Sequence, residues 1–174
     1  LDPFPILKGA KKYDVCIVDA GYTGLSTALH LSKLGYSVAV LDAHRVGFGA
    51  SGRNGGQLGA GQRVSQDELV SYLGEKHAYN LWLLAKDAVT TVKEIIKKYK
   101  INCHLKPGVA TLGFNSKEVN GLHKYAEYLE KKYNYDGLEK LDHKVCSVVC
   151  GSEKYKGGIL DMNAAHLHPL RFVL

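Results

Sequence analysis

The segment from residue 13 to residue 63 constrains the fold most, because it predicts a strand, a glycine turn, a helix and a second strand in direct succession. Residues 13–18 are a short apolar strand, and residues 19–24 form the turn. A helix is predicted over residues 25–34 and a second strand over residues 37–42. This order is typical of the βαβ unit with which many proteins bind a dinucleotide.

The turn and the end of the second strand supply the first candidate binding residues. Gly21 would let the backbone approach a pyrophosphate, and Gly24 would let the helix pack closely on the strand. Backbone N–H groups at the start of the helix attract phosphate. Asp42 follows Gly24 by 18 positions, close to the place of the acid that holds a ribose hydroxyl. The predicted cofactor contacts here are Ala20, Gly21, Tyr22, Thr23, Gly24, Asp42 and Ala43.

Asp19 departs from this pattern, because it stands where the dinucleotide fingerprint has its first glycine. The tight turn normally leaves no room for a side chain there, and a carboxylate beside a pyrophosphate is electrostatically unfavourable. The pattern therefore predicts the fold more strongly than it predicts binding. The alternative interpretation is a βαβ unit that binds no nucleotide.

A second glycine-rich loop follows, with five glycines in the thirteen residues 45–57. Such a segment has too little apolar content for a core element, and its glycines allow close backbone contact with a ligand. A plain flexible loop is the alternative, but its polar side chains bring hydrogen-bond donors that a linker does not need. The predicted cofactor contacts in this loop are Ala50, Ser51, Gly52, Arg53, Asn54, Gly55, Gly56 and Gln57.

Together these motifs resemble a known family. The run over residues 13–57, with Gly-Phe-Gly-Ala-Ser-Gly-Arg-Asn-Gly-Gly-Gln at 47–57, is similar to the D-amino-acid-oxidase-type FAD-dependent oxidoreductases. Within that family it most resembles the gamma-glutamylputrescine oxidoreductase branch. Residues 155–162 and the His-Leu-His-Pro-Leu segment at 166–170 resemble the same branch.

The resemblance implies FAD as cofactor and a small-molecule amine as substrate. Members of the branch transfer a hydride from the carbon beside the amine nitrogen to the flavin. The imine then hydrolyses, and oxygen reoxidises the flavin with release of peroxide. The resemblance assigns no catalytic residue to this chain, and hydride transfer to a flavin needs no dedicated nucleophile.

The predicted fold class is α/β: an incomplete FAD-binding, Rossmann-like (doubly wound) domain with an inserted, mainly helical α+β segment. Residues 1–63 are assigned to the N-terminal part of the FAD-binding domain and 64–155 to the insertion, as part of a substrate domain. Residues 156–174 are expected to return to the FAD-binding or substrate cavity and to be truncated there. Proteins of the family are more than twice as long, so the chain is expected to be the front part of an enzyme.

Only two clear parallel strands belong to the predicted nucleotide-binding sheet, with a third candidate at residues 157–161. So small a sheet is expected to leave apolar faces and edges open unless another segment covers them.

The middle of the chain predicts mainly helices. Ser65 caps a short helix that ends at Gly74, and a longer helix runs over residues 75–99. A strand pair is expected around Pro107-Gly108 within residues 102–115. Ser116 caps a helix to Tyr133, residues 138–141 form a strand, and Asp142 caps a short helix. The expected core stripe of the long helix consists of Trp82, Ala85, Val89, Val92, Ile96 and Tyr99.

Charge and cysteine usage restrict the partners and the environment. The net charge of +6 comes from lysines spread over several helices without interleaved aromatic pairs, which argues against nucleic acid. No run approaches the 18 apolar residues of a membrane span. The four cysteines lack metal-ligand spacing, with Cys16 expected to be buried in its strand. We expect no metal and a cytoplasmic location. In a strand His166 and His168 would face the same side, and the resemblance implies that this segment lies near the flavin and substrate cavity.

Two alternatives to an FAD-dependent amine oxidoreductase stay open at this point. One is a non-catalytic, truncated remnant of a longer oxidoreductase, which Asp19 favours. The other is a nucleotide-binding module for NAD or ADP without redox activity, which the loop at 47–57 argues against. If the chain is active, we expect a separate C-terminal fragment or a second copy of the chain to complete it.

Overall fold

Backbone contacts divide the chain into two units in a computed structural model that describes residues 4–174. The first unit contains residues 4–56, the short segment Ile101–Cys103 and His168–Leu174. The second unit contains Gln57–Lys100 and His104–Leu167. The assignment of functional domains at residues 63 and 155 stays a prediction.

The first unit contains the predicted βαβ element. Strand β1 (Val15–Val18) and strand β2 (Val38–Leu41) lie side by side and parallel, with Val15 opposite Val38 and Val18 opposite Leu41. Helix α1 (Tyr22–Lys33) connects them and begins directly after Gly21. The predicted α/β, Rossmann-like start of the chain is therefore confirmed.

Within residues 4–174 the sheet of the first unit has two strands, and its surface is open as expected. Val18 is 80% exposed and the Cys16 side chain is exposed as well. The expectation that Cys16 is buried is wrong, because burial in a parallel sheet requires covering layers on both faces. The sheet therefore presents apolar side chains that the described residues do not cover.

The third strand proposed for this sheet, at residues 157–161, belongs to another sheet. It is the start of strand β6 (Gly157–His166), the central strand of an antiparallel sheet in the second unit. Strand β4 (Lys106–Gly113) pairs with one edge of β6. Strands β5 (Leu138–Asp142) and β3 (Gln57–Leu58) also pair antiparallel with β6. A short apolar run predicts a strand but carries no information about the partners it pairs with.

The strand pair expected around Pro107-Gly108 is also wrong. β4 is one strand that stays paired with β6 on both sides of this dipeptide, with Pro107 opposite Ala165 and Val109 opposite Asp161. The register shifts there, and Gly108 has a φ of +90°. The Pro-Gly sequence makes a bulge in this strand where we expected a hairpin turn.

The helices of the second unit agree closely with the sequence patterns. Helix α2 (Gln66–Tyr99) is interrupted at Gly74, whose φ of 76° and ψ of 163° are not helical. Its N-terminus carries a capping box between Ser65 and Glu68. Helix α3 (Ser116–Tyr133) is capped by Asn115, one residue before the expected cap. Helix α4 (His143–Cys150) is capped by Asp142, as predicted.

Aromatic side chains form the centre of the second unit. Trp82 of α2 packs against Tyr133 and Tyr135, with ring centroids 5.4 Å and 4.9 Å away. Leu129 completes this buried cluster. The core stripe of α2 is confirmed at Trp82, Ala85, Val89 and Ile96, whereas Val92 is half-buried and Tyr99 is exposed. No helix within residues 4–174 combines the length and apolar character of a membrane span.

Candidate functional site

The turn between β1 and α1 keeps the backbone shape of a glycine turn even though its first glycine is absent. Asp19 has a φ of +87°, a conformation that favours glycine. A Cβ on Gly24 would lie 2.0 Å from the Asp19 carbonyl oxygen, so α1 can approach β1 this closely only with glycine at that position. The role predicted for Gly24 in helix–strand packing is thus evident in the geometry.

Of the four backbone N–H groups at the start of α1, two have acceptors within the described residues and two do not. Gly21 N–H donates to Asp19 Oδ2 at 3.2 Å, and Tyr22 N–H donates to Ser51 Oγ at 3.0 Å. The N-cap residue Gly21 has no side chain that could cap the helix, and among residues 4–174 no acceptor contacts the N–H groups of Thr23 and Gly24. These two groups point out of the helix N-terminus, where the helix dipole favours a negative charge.

Asp42 follows the last residue of β2 and connects the two ends of the turn. Its Oδ2 accepts the Ala20 N–H at 2.8 Å, and its Oδ1 accepts the His44 N–H at 2.7 Å. These two backbone hydrogen bonds hold the pKa of the Asp42 carboxyl below its usual value. Each carboxylate oxygen can accept a second hydrogen bond, so Asp42 retains acceptor capacity for a hydroxyl group.

The glycine-rich loop lies against this turn inside the first unit. Gly47 donates its N–H to the Ala20 carbonyl at 3.0 Å. A Cβ on Gly47 would come within 2.9 Å of Val173, and a Cβ on Gly52 within 2.2 Å of the Gly47 carbonyl oxygen and 3.0 Å of Leu170. Leu170 and Val173 belong to helix α5 (Pro169–Val173), which begins at the Pro of the His-Leu-His-Pro-Leu segment as expected. Packing alone therefore explains the glycine at position 52.

The polar side chains of the loop mostly stabilise the loop itself. Asn54 Nδ2 donates to the carbonyls of Ala50 and Ser51, each at 3.0 Å, and Asn54 Oδ1 accepts the Gly56 N–H at 2.8 Å. Arg53 Nε donates to the Phe48 carbonyl at 2.5 Å, and its guanidinium lies 4.5 Å from the centroid of the Phe48 ring. Donors that we assigned to a ligand are thus partly engaged inside the protein.

The structure brings most of the predicted contact residues together. Through Ser51 and Asp42, the turn at 20–24 is tied to the loop and to β2. Ala43, Thr23 and Gly55 are exposed, and a Cβ on Gly55 would meet no other atom within 4 Å. Gln57 lies in β3 of the second unit, opposite His166. The assignment of all these residues to a cofactor stays a prediction.

The two histidines do not form the pair that we expected. β6 ends at His166, and His168 caps α5, where its Nδ1 accepts the Arg171 N–H at 3.4 Å. The alternation of a strand therefore does not extend to His168. His166 Nδ1 lies 3.1 Å from the Gly108 carbonyl.

Several contacts within the site were not predicted from the sequence. Tyr22, a predicted contact, packs its ring 5.5 Å from that of Phe172 and donates its hydroxyl to the Pro169 carbonyl at 3.4 Å. His44 stacks its ring 4.3 Å from Phe48 and supplies a backbone N–H to Asp42. The apolar residues after Pro169 indicate that α5 packs against another part of the protein. The sequence does not indicate which loop they cover.

Comparison with known proteins gives one family. A family model described as "DAO: FAD dependent oxidoreductase" matches residues 14–174. The chain is 39% identical over 171 residues to the "Probable oxidoreductase OrdL" of Haemophilus influenzae. It is 38% identical over 172 residues to the "Gamma-glutamylputrescine oxidoreductase" of Escherichia coli. These alignments cover 98% and 99% of this chain but 40% of each relative, so the chain spans about 40% of the length of these relatives.

Solved structures show the same fold. The glycine oxidase of Geobacillus kaustophilus superposes with a TM-score of 0.67 over 92% of this chain and 42% of its own, at 20% sequence identity. The L-amino acid deaminase of Proteus myxofaciens superposes with a TM-score of 0.70 over 95% of this chain and 36% of its own, at 16% identity.

Proposed function

Because this chain belongs to the family of FAD-dependent oxidoreductases, we propose that it binds the dinucleotide part of FAD in an enzyme that oxidises small-molecule amines. The observation that carries this proposal is the turn at residues 19–24 beside the Asp42 carboxylate, where two N–H groups have no partner within residues 4–174. The amine is inferred from the relative described as a gamma-glutamylputrescine oxidoreductase. Gamma-glutamylputrescine or a similar CH–NH donor is the proposed substrate.

Gly21 lacks a side chain, and Ser51 Oγ and Asp19 Oδ2 lie 2.8 Å and 2.9 Å from the position that its Cβ would occupy. The residues at the turn suit a dinucleotide in two further respects. The N–H groups of Thr23 and Gly24 are unpaired among the described residues. Asp42 stands at the end of β2 with acceptor capacity for a ribose hydroxyl. Asp19 is the one departure.

When bound, FAD would supply a ring that accepts a hydride from the carbon beside the amine nitrogen. The residues of this chain would bind and orient it. Thr23 and Gly24 would donate backbone N–H groups to phosphate oxygens, and Asp42 would accept from the ribose. Ser51 keeps the loop at the helix N-terminus through its hydrogen bond with Tyr22. No residue of the chain is proposed as an acid, base or nucleophile.

Flavin retention by the purified protein tests this proposal. The apoprotein is titrated with FAD, and bound flavin is measured by its fluorescence change and by its spectrum after gel filtration. We expect Asp42→Asn to weaken FAD binding about tenfold or more, because a hydrogen bond to a charged acceptor is lost. Asp87→Asn removes an exposed carboxylate of α2 and serves as the matched control.

Each result decides between the alternatives. Saturable FAD binding that weakens in Asp42→Asn but not in Asp87→Asn supports the proposal. Binding of NADH or ADP with no preference for FAD would instead indicate a nucleotide-binding module without redox activity. Absence of binding to any of the three would indicate a non-catalytic remnant.

A further inference from the structure

Asp19 adopts a positive-φ backbone conformation that favours glycine, and this conformation strains its backbone. Its φ of +87° lies in the region that L residues rarely adopt. The turn is nevertheless intact, since Asp19 N–H donates to the Leu41 carbonyl at 2.8 Å and β1 keeps its parallel register with β2. Asp19 therefore keeps the shape of a glycine turn while adding a charged side chain to it.

That side chain points back into the turn. Asp19 Oδ2 accepts the Gly21 N–H at 3.2 Å and lies 2.9 Å from the position that a Cβ on Gly21 would occupy. The carboxylate thus covers the face of Gly21 that the missing side chain leaves open. It also takes one of the N–H groups that a phosphate oxygen would otherwise accept.

A second carboxylate reinforces this effect. Asp42 Oδ2 accepts the Ala20 N–H at 2.8 Å, next to the Gly21 N–H that Asp19 accepts. Two carboxylates therefore lie against residues 19–21. The Arg53 guanidinium lies on the Phe48 ring and its Nε is bound to the Phe48 carbonyl, so its recorded contacts lie within the loop. An incoming pyrophosphate would meet this negative charge at close range.

We propose that Asp19 is an intramolecular competitor of the FAD pyrophosphate, which must displace its carboxylate from the Gly21 N–H in order to bind. This inference rests on the proposed function, because it concerns the same dinucleotide site. It makes Asp19 the residue that sets the affinity of this chain for dinucleotides. The ligand class affected is any anion that requires the turn, including ADP and inorganic pyrophosphate.

Two substitutions at this position separate charge from geometry. Asp19→Asn keeps the acceptor oxygen and tolerates a positive φ, but it removes the charge. Asp19→Gly also frees the Gly21 N–H and relaxes the backbone. By calorimetric titration we expect FAD and ADP to bind Asp19→Asn about tenfold more tightly than the wild type, and Asp19→Gly up to about a hundredfold more tightly. Asp87→Asn, which removes an exposed carboxylate of α2, should bind like the wild type.

Two further readouts do not depend on flavin chemistry. Inorganic pyrophosphate should raise the melting temperature of Asp19→Gly more than that of the wild type. The advantage of Asp19→Asn over the wild type should shrink as salt approaches about 1 M, where the Debye length falls to about 3 Å. If Asp19→Gly does not fold, as judged by circular dichroism, the comparison of Asp19→Asn with the wild type decides alone.

The results separate this inference from the proposed function. If the wild type binds FAD and neither Asp19 variant binds more tightly, Asp19 is not a competitor, although the proposed function stands. If the wild type binds weakly and the Asp19 variants bind more tightly, both are supported. If the variants bind and the wild type does not, Asp19 is a competitor but the proposed function is wrong for the wild type. If neither the wild type nor any variant binds FAD, ADP or pyrophosphate, both are wrong.

Discussion

Single residues decide how closely the first helix approaches its strand. Gly24→Ala would place a Cβ 2.0 Å from the Asp19 carbonyl oxygen, a backbone atom that cannot rotate away. We expect this variant to lose about 3 kcal/mol of unfolding free energy, since overpacking of this kind usually costs about 1–3 kcal/mol and occasionally more. Urea unfolding followed by circular dichroism measures the loss.

Gly49→Ala is the matched control for this prediction. Gly49 has a φ of −75°, and a Cβ there would meet no other atom within 4 Å. Its stability should therefore equal or slightly exceed that of the wild type. Equal stability of the Gly24 and Gly49 variants would contradict the close helix–strand contact.

The Asp42 carboxylate should make the first unit sensitive to acid. Its pKa is lowered in the folded state by the hydrogen bonds from Ala20 and His44. Because the folded pKa is the lower one, the contribution to stability is complete above the usual carboxyl pKa of 3.8 and is lost as the pH falls through the folded value. Melting temperatures between about pH 6 and pH 3 should thus fall more for the wild type than for Asp42→Asn. Parallel curves would show that these hydrogen bonds do not stabilise the fold.

At this scale the sequence identified backbone roles better than side-chain roles. The spacing of Gly21, Gly24 and Asp42 follows from the geometry of a βαβ turn, and the structure places all three there. The loop side chains were harder, because sequence does not give side-chain direction. Asn54 and Arg53 carry donors that suit a ligand, yet both are bonded within the loop.

Among the elements, helix α2 is interrupted at Gly74 by a backbone conformation that requires glycine. Its φ of 76° with ψ of 163° is accessible in practice to glycine alone. Gly74→Ala should therefore cost about 1–3 kcal/mol of unfolding free energy, although a Cβ would meet no other atom within 4 Å.

Gly121→Ala tests the same substitution inside a regular helix. Gly121 lies in the interior of α3, where a Cβ would also meet nothing within 4 Å. This variant should gain about 0.5–1 kcal/mol, because alanine is the better helix former. Opposite signs for the two variants would confirm that the Gly74 backbone, rather than its surroundings, requires glycine. A stabilised Gly74→Ala would mean that α2 can be straight.

Helices were more predictable than sheets for a physical reason. The pattern of α2 and α3 depends on neighbours three and four residues apart, so it is local in sequence. The pairing of β6 with β3, β4 and β5 joins residues up to about a hundred positions apart. No local pattern encodes such a partner, which is why residues 157–161 were assigned to the wrong sheet and Pro107-Gly108 to a hairpin.

For the whole molecule, we expect little or no amine oxidation by this chain alone, even with FAD added. Catalysis requires the flavin ring to be held in contact with the substrate carbon in a closed site. The described residues leave Val18 at 80% exposure on an open, two-stranded sheet, and the chain spans about 40% of its relatives. Peroxide release from gamma-glutamylputrescine or a simple secondary amine measures the activity.

We propose that a separate polypeptide carrying the remaining part of a relative, or a second copy of the chain, supplies the side of the flavin site that the described residues do not form. Peroxide production that appears only after this separate polypeptide is added would identify the polypeptide as the source. Peroxide production that rises with the square of protein concentration would identify a second copy of the chain. Turnover by the dilute, monomeric chain would contradict the expectation.

Because Gly47 and Gly52 pack against α5, their loop is synthesised before the helix that covers it. β1, α1 and β2 precede Leu170 and Val173, whose side chains cover the two glycines, by more than a hundred residues. At a translation rate of roughly 5–20 residues per second, the loop waits on the order of ten seconds for its packing partner. During that interval the loop lacks the side chains that cover Gly47 and Gly52. The loop that lies against the dinucleotide turn is therefore synthesised well before its packing is complete.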